Sequence, residues 1–338
     1  MSDRSRFAVR LAVTLGLLGV VFYRIDAGEF LRVVASASIA LLLGAALIQV
    51  GSIFLSALRW RVILKNFDVQ IDYDPLARIT FIGFFFNLFL PSGIGGDFFR
   101  AYYLGQRVGR GMSTTLTTTI LERSAGLCAL LIIGLAASAL TPLKFGGVRL
   151  LFVFLIILSL FILGNLLLFH PWTHRLLTRF LSRWKRDGLE EKMDLVAKGL
   201  RQLRRNPSAV VQAVAVSLLV QFLAVVIAWV AATSIGLKAP FPVFLTFIPL
   251  INLTIMIPIT INGLGLRESL YAVLFQQIGV ANEMSVSLSL LTFAVFLLAG
   301  LPGAVLYHLY KRDLPTEKWT GTSPCEPKAS ESKQEMRE

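Results

Sequence analysis

Apolar runs organise this chain: about 37–58, 113–140, 148–169, 208–235 and 284–310. Each is long enough to cross a hydrocarbon core about 30 Å thick as a helix. A shorter run, about 7–23, follows Arg4, Arg6 and Arg10. Its basic start imitates a secretory leader, but the small-residue triplet Ala35-Ser36-Ala37 lies about a dozen residues beyond it, too far for a cleavage site. A retained first helix is the expectation.

Two more segments, 79–104 and 241–279, are apolar but interrupted. In NLFLPSGIGGDFFRAYYL (87–104) the run reaches Pro91, breaks at Gly93, Gly95 and Gly96, and then carries Asp97 and Arg100. In IPITINGLGLRESL (257–270) Pro258 is followed by Asn262, Gly263, Arg267 and Glu268. A glycine stands five residues after each proline and an arginine nine after, and each site carries one carboxylate. Such breakers predict two re-entrant segments that enter and leave on one side. Each half then has three crossings, an odd number, which inverts one half against the other.

The expected fold is therefore an all-α polytopic membrane protein with about six full spans plus two broken re-entrant segments (6–8 crossings by hydropathy) in a 3+3 inverted repeat. Its membrane domain is 1–312, with halves of about 1–140 and 148–312, and a polar, disordered tail fills 313–338.

Composition agrees with a membrane protein. Charged residues are 16% of the chain and mean hydropathy is +0.71, against about 25% charged in soluble domains. Net charge is +13, and its placement carries the information. With the amino terminus cytoplasmic, 22 Lys/Arg outside the tail fall on that side and 5 on the other. The positive-inside rule then sets both termini in the cytoplasm, in a cytoplasmic (inner) membrane. The loop 171–207 holds 10 of those cations and two apolar helix faces. It reads either as a basic amphipathic segment on anionic lipid or as a solvated linker packed on its own bundle. No aromatic–basic nucleic-acid module is present, so nucleic acid is not an expected partner.

Metal and disulfide chemistry draw little support. Cys128 lies in an apolar run and Cys325 in the tail; His170 and His174 lack the glutamate of an H-E-x-x-H pair. GIGGD (93–97) lacks the G-K-[ST] ending of a P-loop, and no nucleophile–base set stands out. No cofactor, metal or catalytic residue is expected.

The breaks themselves suggest a binding site. Irregular backbone at membrane depth needs protein or a watery cavity around it. Freed helix N-termini favour a phosphate or carboxylate, and Arg100 and Arg267 could clamp one with paired donors. Asp97 suits an N-cap for the returning helix. Glu122 and Arg123, in LERSAGL (121–127), lie well inside an apolar run, where Glu122 could neutralise Arg100 or Arg267 or meet an amine. The bland alternatives are snorkelling arginines, glycines that only allow close packing, and a structural ion pair. Arg59, Trp60 and Arg61 read as an interfacial anchor closing the second span.

LRWRVIL (58–64), FFFNLFLPSGIGGDFFRAYYL (84–104), LERSAGL and IPITINGLGLRESL occur in this order. Together they resemble the transmembrane region of lysylphosphatidylglycerol synthases, a family of flippase-like integral membrane proteins. The resemblance covers nearly all of the chain except the tail. It implies movement of a phospholipid or lipid-linked headgroup between leaflets, with lysylphosphatidylglycerol as first cargo and anionic or aminoacylated phospholipid as partner. Full synthases add a soluble aminoacyltransferase domain that the 338 residues do not contain, so the transferase reaction is not expected. By motif, the substrate-binding residues would be Asn87, Pro91, Gly95, Gly96, Asp97, Arg100, Glu122, Arg123, Asn262, Gly263, Arg267 and Glu268. Two rival readings stand beside it: a membrane scaffold for a separately encoded lipid-modifying or glycosyltransferase enzyme, and a membrane-embedded lipid-modifying enzyme.

Overall fold

The computed structural model of this chain describes residues 3–23, 25–89, 95–108, 112–169, 206–257 and 259–310. The helices are α1 (Asp3–Tyr23), α2 (Ala27–Ala35), α3 (Ile39–Lys65), α4 (Tyr73–Phe89), α5 (Gly95–Val108), α6 (Met112–Leu140), α7 (Leu150–Phe169), α8 (Pro207–Ser234), α9 (Phe241–Ile255), α10 (Leu266–Gln276) and α11 (Asn282–Tyr310). Between α6 and α7 a small antiparallel turn pairs Lys144 with Arg149. Within the described residues α3, α6, α8 and α11 are long and apolar enough to cross a membrane. α7 (over Leu150–Gly164) and α9 are shorter apolar helices, and α1 bends into α2 by 91°. The protein is an all-α polytopic membrane protein.

Local chemistry sets several boundaries. Asp26 caps α2 by accepting from the Glu29 N–H at 2.8 Å, and Asn206 with Pro207 at the first position starts α8. Asp68, at φ 54°, ends α3 in a left-handed turn closed by the Val69 N–H donating to the Leu64 carbonyl.

α3 and α8 lie antiparallel. At one end the Ser38 N–H donates to the Ser234 carbonyl at 2.9 Å. At the other, Asn206 Nδ2 donates to Asn66 Oδ1 at 2.8 Å. Each of these helices leads into a broken segment that folds back as a helix pair. In the first, Phe86 of α4 stacks on Phe99 of α5 with centroids 4.2 Å apart. A Cβ on Gly96 would collide with the Gly83 carbonyl oxygen, so the two backbones touch. In the second, Phe247 of α9 meets Phe275 of α10 at 5.3 Å.

Short connections, 66–72 and 235–240, mean that the first pair starts where α3 ends and the second where α8 ends. The two pairs thus enter the bundle from opposite ends. They meet inside it, where Asn262 Nδ2 donates to the Leu88 carbonyl at 2.7 Å.

Apart from the packing of α1 on α10, the main remaining contacts among the described residues repeat between halves. α4 packs on α11 as α9 packs on α6; α5 packs on α6 as α10 packs on α11; α2 covers α11 as α7 covers α6. Exchanging α3–α6 with α8–α11 leaves this pattern unchanged, as an inverted repeat requires. Small residues make the approach close. A Cβ on Gly303 of α11 would strike the Phe81 carbonyl of α4, and one on Gly134 of α6 would strike the Phe154 ring of α7. Without a hydrophobic drive between helices in lipid, such fits carry much of the association.

Candidate functional site

α3, α5 and α6 bring five charged side chains together. Glu122 of α6 is fully buried and holds two arginines: Arg59 Nη2 donates to its Oε1 at 2.8 Å and Arg100 Nη2 to its Oε2 at 2.7 Å. Arg59 also donates through Nη1 to Ser217 Oγ of α8 at 3.1 Å. Arg100 Nη1 stands 3.7 Å from Asp97 Oδ1, and its guanidinium lies 4.2 Å from the centre of the Trp60 ring. Trp60 is itself fixed by donating from Nε1 to Thr118 Oγ1 at 3.1 Å. Arg123 Nε donates to Asp97 Oδ2.

Asn87 ties the break to this cluster. Its Nδ2 donates to Asp97 Oδ1 at 3.3 Å, while its Oδ1 accepts the Gly96 N–H at 3.0 Å. Gly95 opens α5, and Gly96 is the glycine that lets α4 approach. Asp97 sits in the first turn of α5, where a carboxylate complements the helix dipole. Pro91, Pro258 and the loop 171–205 lie outside the described residues.

The buried charges balance, but their hydrogen bonding is incomplete. Among the described residues two buried guanidinium groups, Arg59 and Arg100, face two buried carboxylates, with the partly exposed Arg123 beside Asp97, and the Nε of both Arg59 and Arg100 are buried with no hydrogen-bond partner. Charged groups out of water normally balance and satisfy one another. At 1.5 Å per helical residue, Glu122 lies about 15 Å from the start of α6 and Arg59 about 9 Å from the end of α3. The cluster is thus inside the bundle, in the half nearest the end where α3 finishes.

The second break makes a different constellation. Asn262 is left-handed at φ 52°, and Gly263 and Gly265 follow at φ 74° and 80°. Gly265 opens α10 with its N–H donating to Glu268 Oε2 at 2.7 Å. Arg267 donates to Glu268 Oε1 from Nη2 at 2.7 Å, and Ser289 of α11 donates to the same oxygen at 3.1 Å. Arg267 Nε also reaches Ser289 Oγ at 3.1 Å, and its guanidinium stands 4.5 Å from the Phe293 ring centre. Arg267 reaches 22 residues ahead to Ser289, as Arg100 reaches 22 ahead to Glu122. The repeat-related position holds a hydroxyl in place of the carboxylate, and Glu268 supplies the counter-charge from next door. This pair is neutral.

Sequence reasoning placed Asn87, Gly95, Gly96, Asp97, Arg100, Glu122 and Arg123 at one site, and the structure brings them together. Asn262, Gly263, Arg267 and Glu268 gather at the second break, joined to the first through the Leu88 carbonyl. Of the two partners expected for Glu122, it takes Arg100 and not Arg267. Arg59 and Trp60 depart from expectation. They are buried parts of the cluster, not interfacial anchors, because α3 continues to Lys65 and carries both inside. Ser217 and Ser289 were not anticipated; the shared spacing of 22 is the signal that could have found Ser289.

Comparison with known proteins agrees with this architecture. A "UPF0104 membrane protein" of Methanothermobacter thermautotrophicus is 23% identical over 303 residues, covering 82% of this chain and 87% of that protein. No solved structure matches the chain. The profile described as "Lysylphosphatidylglycerol synthase TM region" matches residues 7–303, an interval that holds both breaks and every charged residue of the two sites. On that match, this chain belongs to the lysylphosphatidylglycerol synthase transmembrane-region family.

Proposed function

We propose that this protein translocates a lipid with an anionic headgroup between leaflets. One observation carries the reading: a buried cluster of arginines and carboxylates with two orphaned Nε–H donors, on Arg59 and Arg100, beside the junction of two helix pairs that enter from opposite ends. A phosphate would supply acceptors for the arginines. Asp97 or Glu122 would meet an amine on an aminoacylated headgroup, such as that of lysylphosphatidylglycerol, while the acyl chains stayed in lipid. In this reading the membrane is the cytoplasmic one and the end carrying Arg61, Lys65 and Arg107 faces the cytoplasm, following the cation count.

The test is scrambling of fluorescent phospholipids in liposomes, read by dithionite quenching. Wild type, Arg100→Ala and Arg267→Ala are compared with empty liposomes, and folding is checked by size exclusion and Tm. Quenching above the empty control in the wild type, and less in Arg100→Ala, supports the reading. A folded wild-type protein that moves neither anionic nor aminoacylated lipid overturns it and leaves a scaffold for a separate enzyme as the reading to pursue.

A further inference from the structure

The two breaks share a register in which Pro91 matches Pro258, Gly96 matches Gly263 and Arg100 matches Arg267. In that register Phe98 stands where the other half has Gly265, Asp97 where it has Leu264, and Arg123 where it has Leu290. The second half closes this face with α1, which packs on α10 and on the 261–263 turn. There the Thr14 hydroxyl accepts the Ile261 N–H at 3.0 Å, and a Cβ on Gly265 would stand 2.8 Å from Leu17 Cβ. The first half has no such cover among the described residues. Its α5 packs chiefly on α4 and α6, Phe98 is 53% exposed, and the Arg123 side chain is 38% exposed.

The charge sets this face apart from ordinary lipid-facing surface. Arg123 lies about 16 Å from the start of α6 at Met112. Its Nε is bonded to the buried Asp97, which holds it at that depth and keeps it from snorkelling outward. The exposed part of such a side chain must meet water or a headgroup, because acyl chains cannot solvate it. Ile120, one turn earlier on the same face of α6, and Phe98, next to Asp97 on α5, are exposed apolar side chains. The ion pair also leads inward: Asp97 Oδ1 stands 3.7 Å from Arg100 Nη1, and Arg100 is held by Glu122.

We propose that this α5–α6 face is the lateral opening through which an anionic phospholipid headgroup reaches the buried cluster, while α1 holds the matching face of the second break shut. The cargo rests on the translocation reading. The headgroup phosphate competes with Asp97 for Arg123, the displaced carboxylate turns to Arg100, and the acyl chains stay against Phe98 and Ile120. The repeat is thus symmetric in its helices and one-sided in its entrance.

The test is thiol accessibility of the full chain in nanodiscs, with Cys128 and Cys325 replaced by serine. Ile120→Cys is compared with Leu47→Cys, an exposed position as many residues into α3 as Ile120 is into α6. In phosphatidylcholine, Ile120→Cys should react with N-ethylmaleimide about tenfold faster, because the thiolate is the reactive form and hydrocarbon suppresses it. Phosphatidylglycerol nanodiscs should remove most of that difference by filling the opening. Arg123→Gln, added to Ile120→Cys, should abolish this protection, and Arg123→Lys should keep it. Folding is checked by size exclusion, and Phe98→Cys reports the same face if Ile120→Cys does not fold. Equal rates at the two positions in phosphatidylcholine overturn the opening. Fast labelling that phosphatidylglycerol leaves unchanged, or protection that survives Arg123→Gln in a folded protein, overturns the lipid assignment. Labelling is read without transport, so its failure in a protein that scrambles lipid strikes this opening alone, and failure of scrambling strikes the translocation reading instead.

Discussion

Arg59 and Arg100, on different helices, share the single carboxylate of Glu122, one on each oxygen, at 2.8 and 2.7 Å. Removing that charge leaves two buried guanidinium groups facing each other. Breaking a buried pair from one side costs about 3–5 kcal/mol, so Glu122→Gln should lower the Tm of the detergent-solubilised protein sharply. Combining it with Arg59→Gln should recover part of the loss, because the second change removes the uncompensated charge. Additive losses in the double variant would show that the shared carboxylate does not couple the two helices.

The contact of α4 with α5 predicts an asymmetry among glycines. Gly96→Ala places a methyl against the Gly83 carbonyl oxygen and the Asn87 backbone. Overpacking of this kind costs about 1–3 kcal/mol. Gly51→Ala, on α3 with open space around its Cβ, should be neutral or stabilise by up to about 1 kcal/mol. Thermal melts of the two variants side by side decide it, and equal effects would contradict the close approach.

Asn262 combines a left-handed backbone with a hydrogen bond to the Leu88 carbonyl. Asn262→Gly keeps the backbone conformation and loses the bond, a cost of about 1 kcal/mol. Asn262→Ala loses the bond and adds left-handed strain of about 1–2 kcal/mol. The alanine variant should therefore melt lower than the glycine variant. The reverse order would mean that the extra freedom of glycine in the unfolded chain outweighs the strain of the left-handed alanine.

Orientation can be read with impermeant maleimide on intact cells. In a background with Cys128 and Cys325 replaced, a cysteine at exposed Gly146, on the α6–α7 turn, should label from outside. One at exposed Gln70, on the turn after α3, should label only after lysis. The opposite pattern would reverse the topology.

The spans were legible because an uninterrupted apolar run of membrane length has few soluble explanations, and the breaks because proline and glycine interrupt such runs for a backbone reason. That Arg100, Asp97 and Glu122 would act together was legible from the cost of charge in hydrocarbon. Arg59 was hidden by a boundary error. The second span reads as ending near Leu58, where an Arg-Trp-Arg sequence resembles an interfacial belt, whereas α3 runs a further two turns to Lys65 and draws Arg59 and Trp60 inward. Ser217 and Ser289 carried no compositional signal, since serine is common in membrane helices. For Ser289 the spacing of 22 from Arg267 becomes a signal once Glu122 is seen at the same spacing from Arg100, and it shows the hydroxyl standing where the other half has its acid.

The bare backbone contact between Gly83 and Gly96 limits how the first helix pair can move. Two helices whose main chains touch, with a stacked Phe86–Phe99 pair and the Asn87 bonds beside them, cannot slide or splay without losing all of these together. They behave as one stiff lever. Any rearrangement of the pair bends at the connection from α3 and carries Asp97 and Arg100 as a unit.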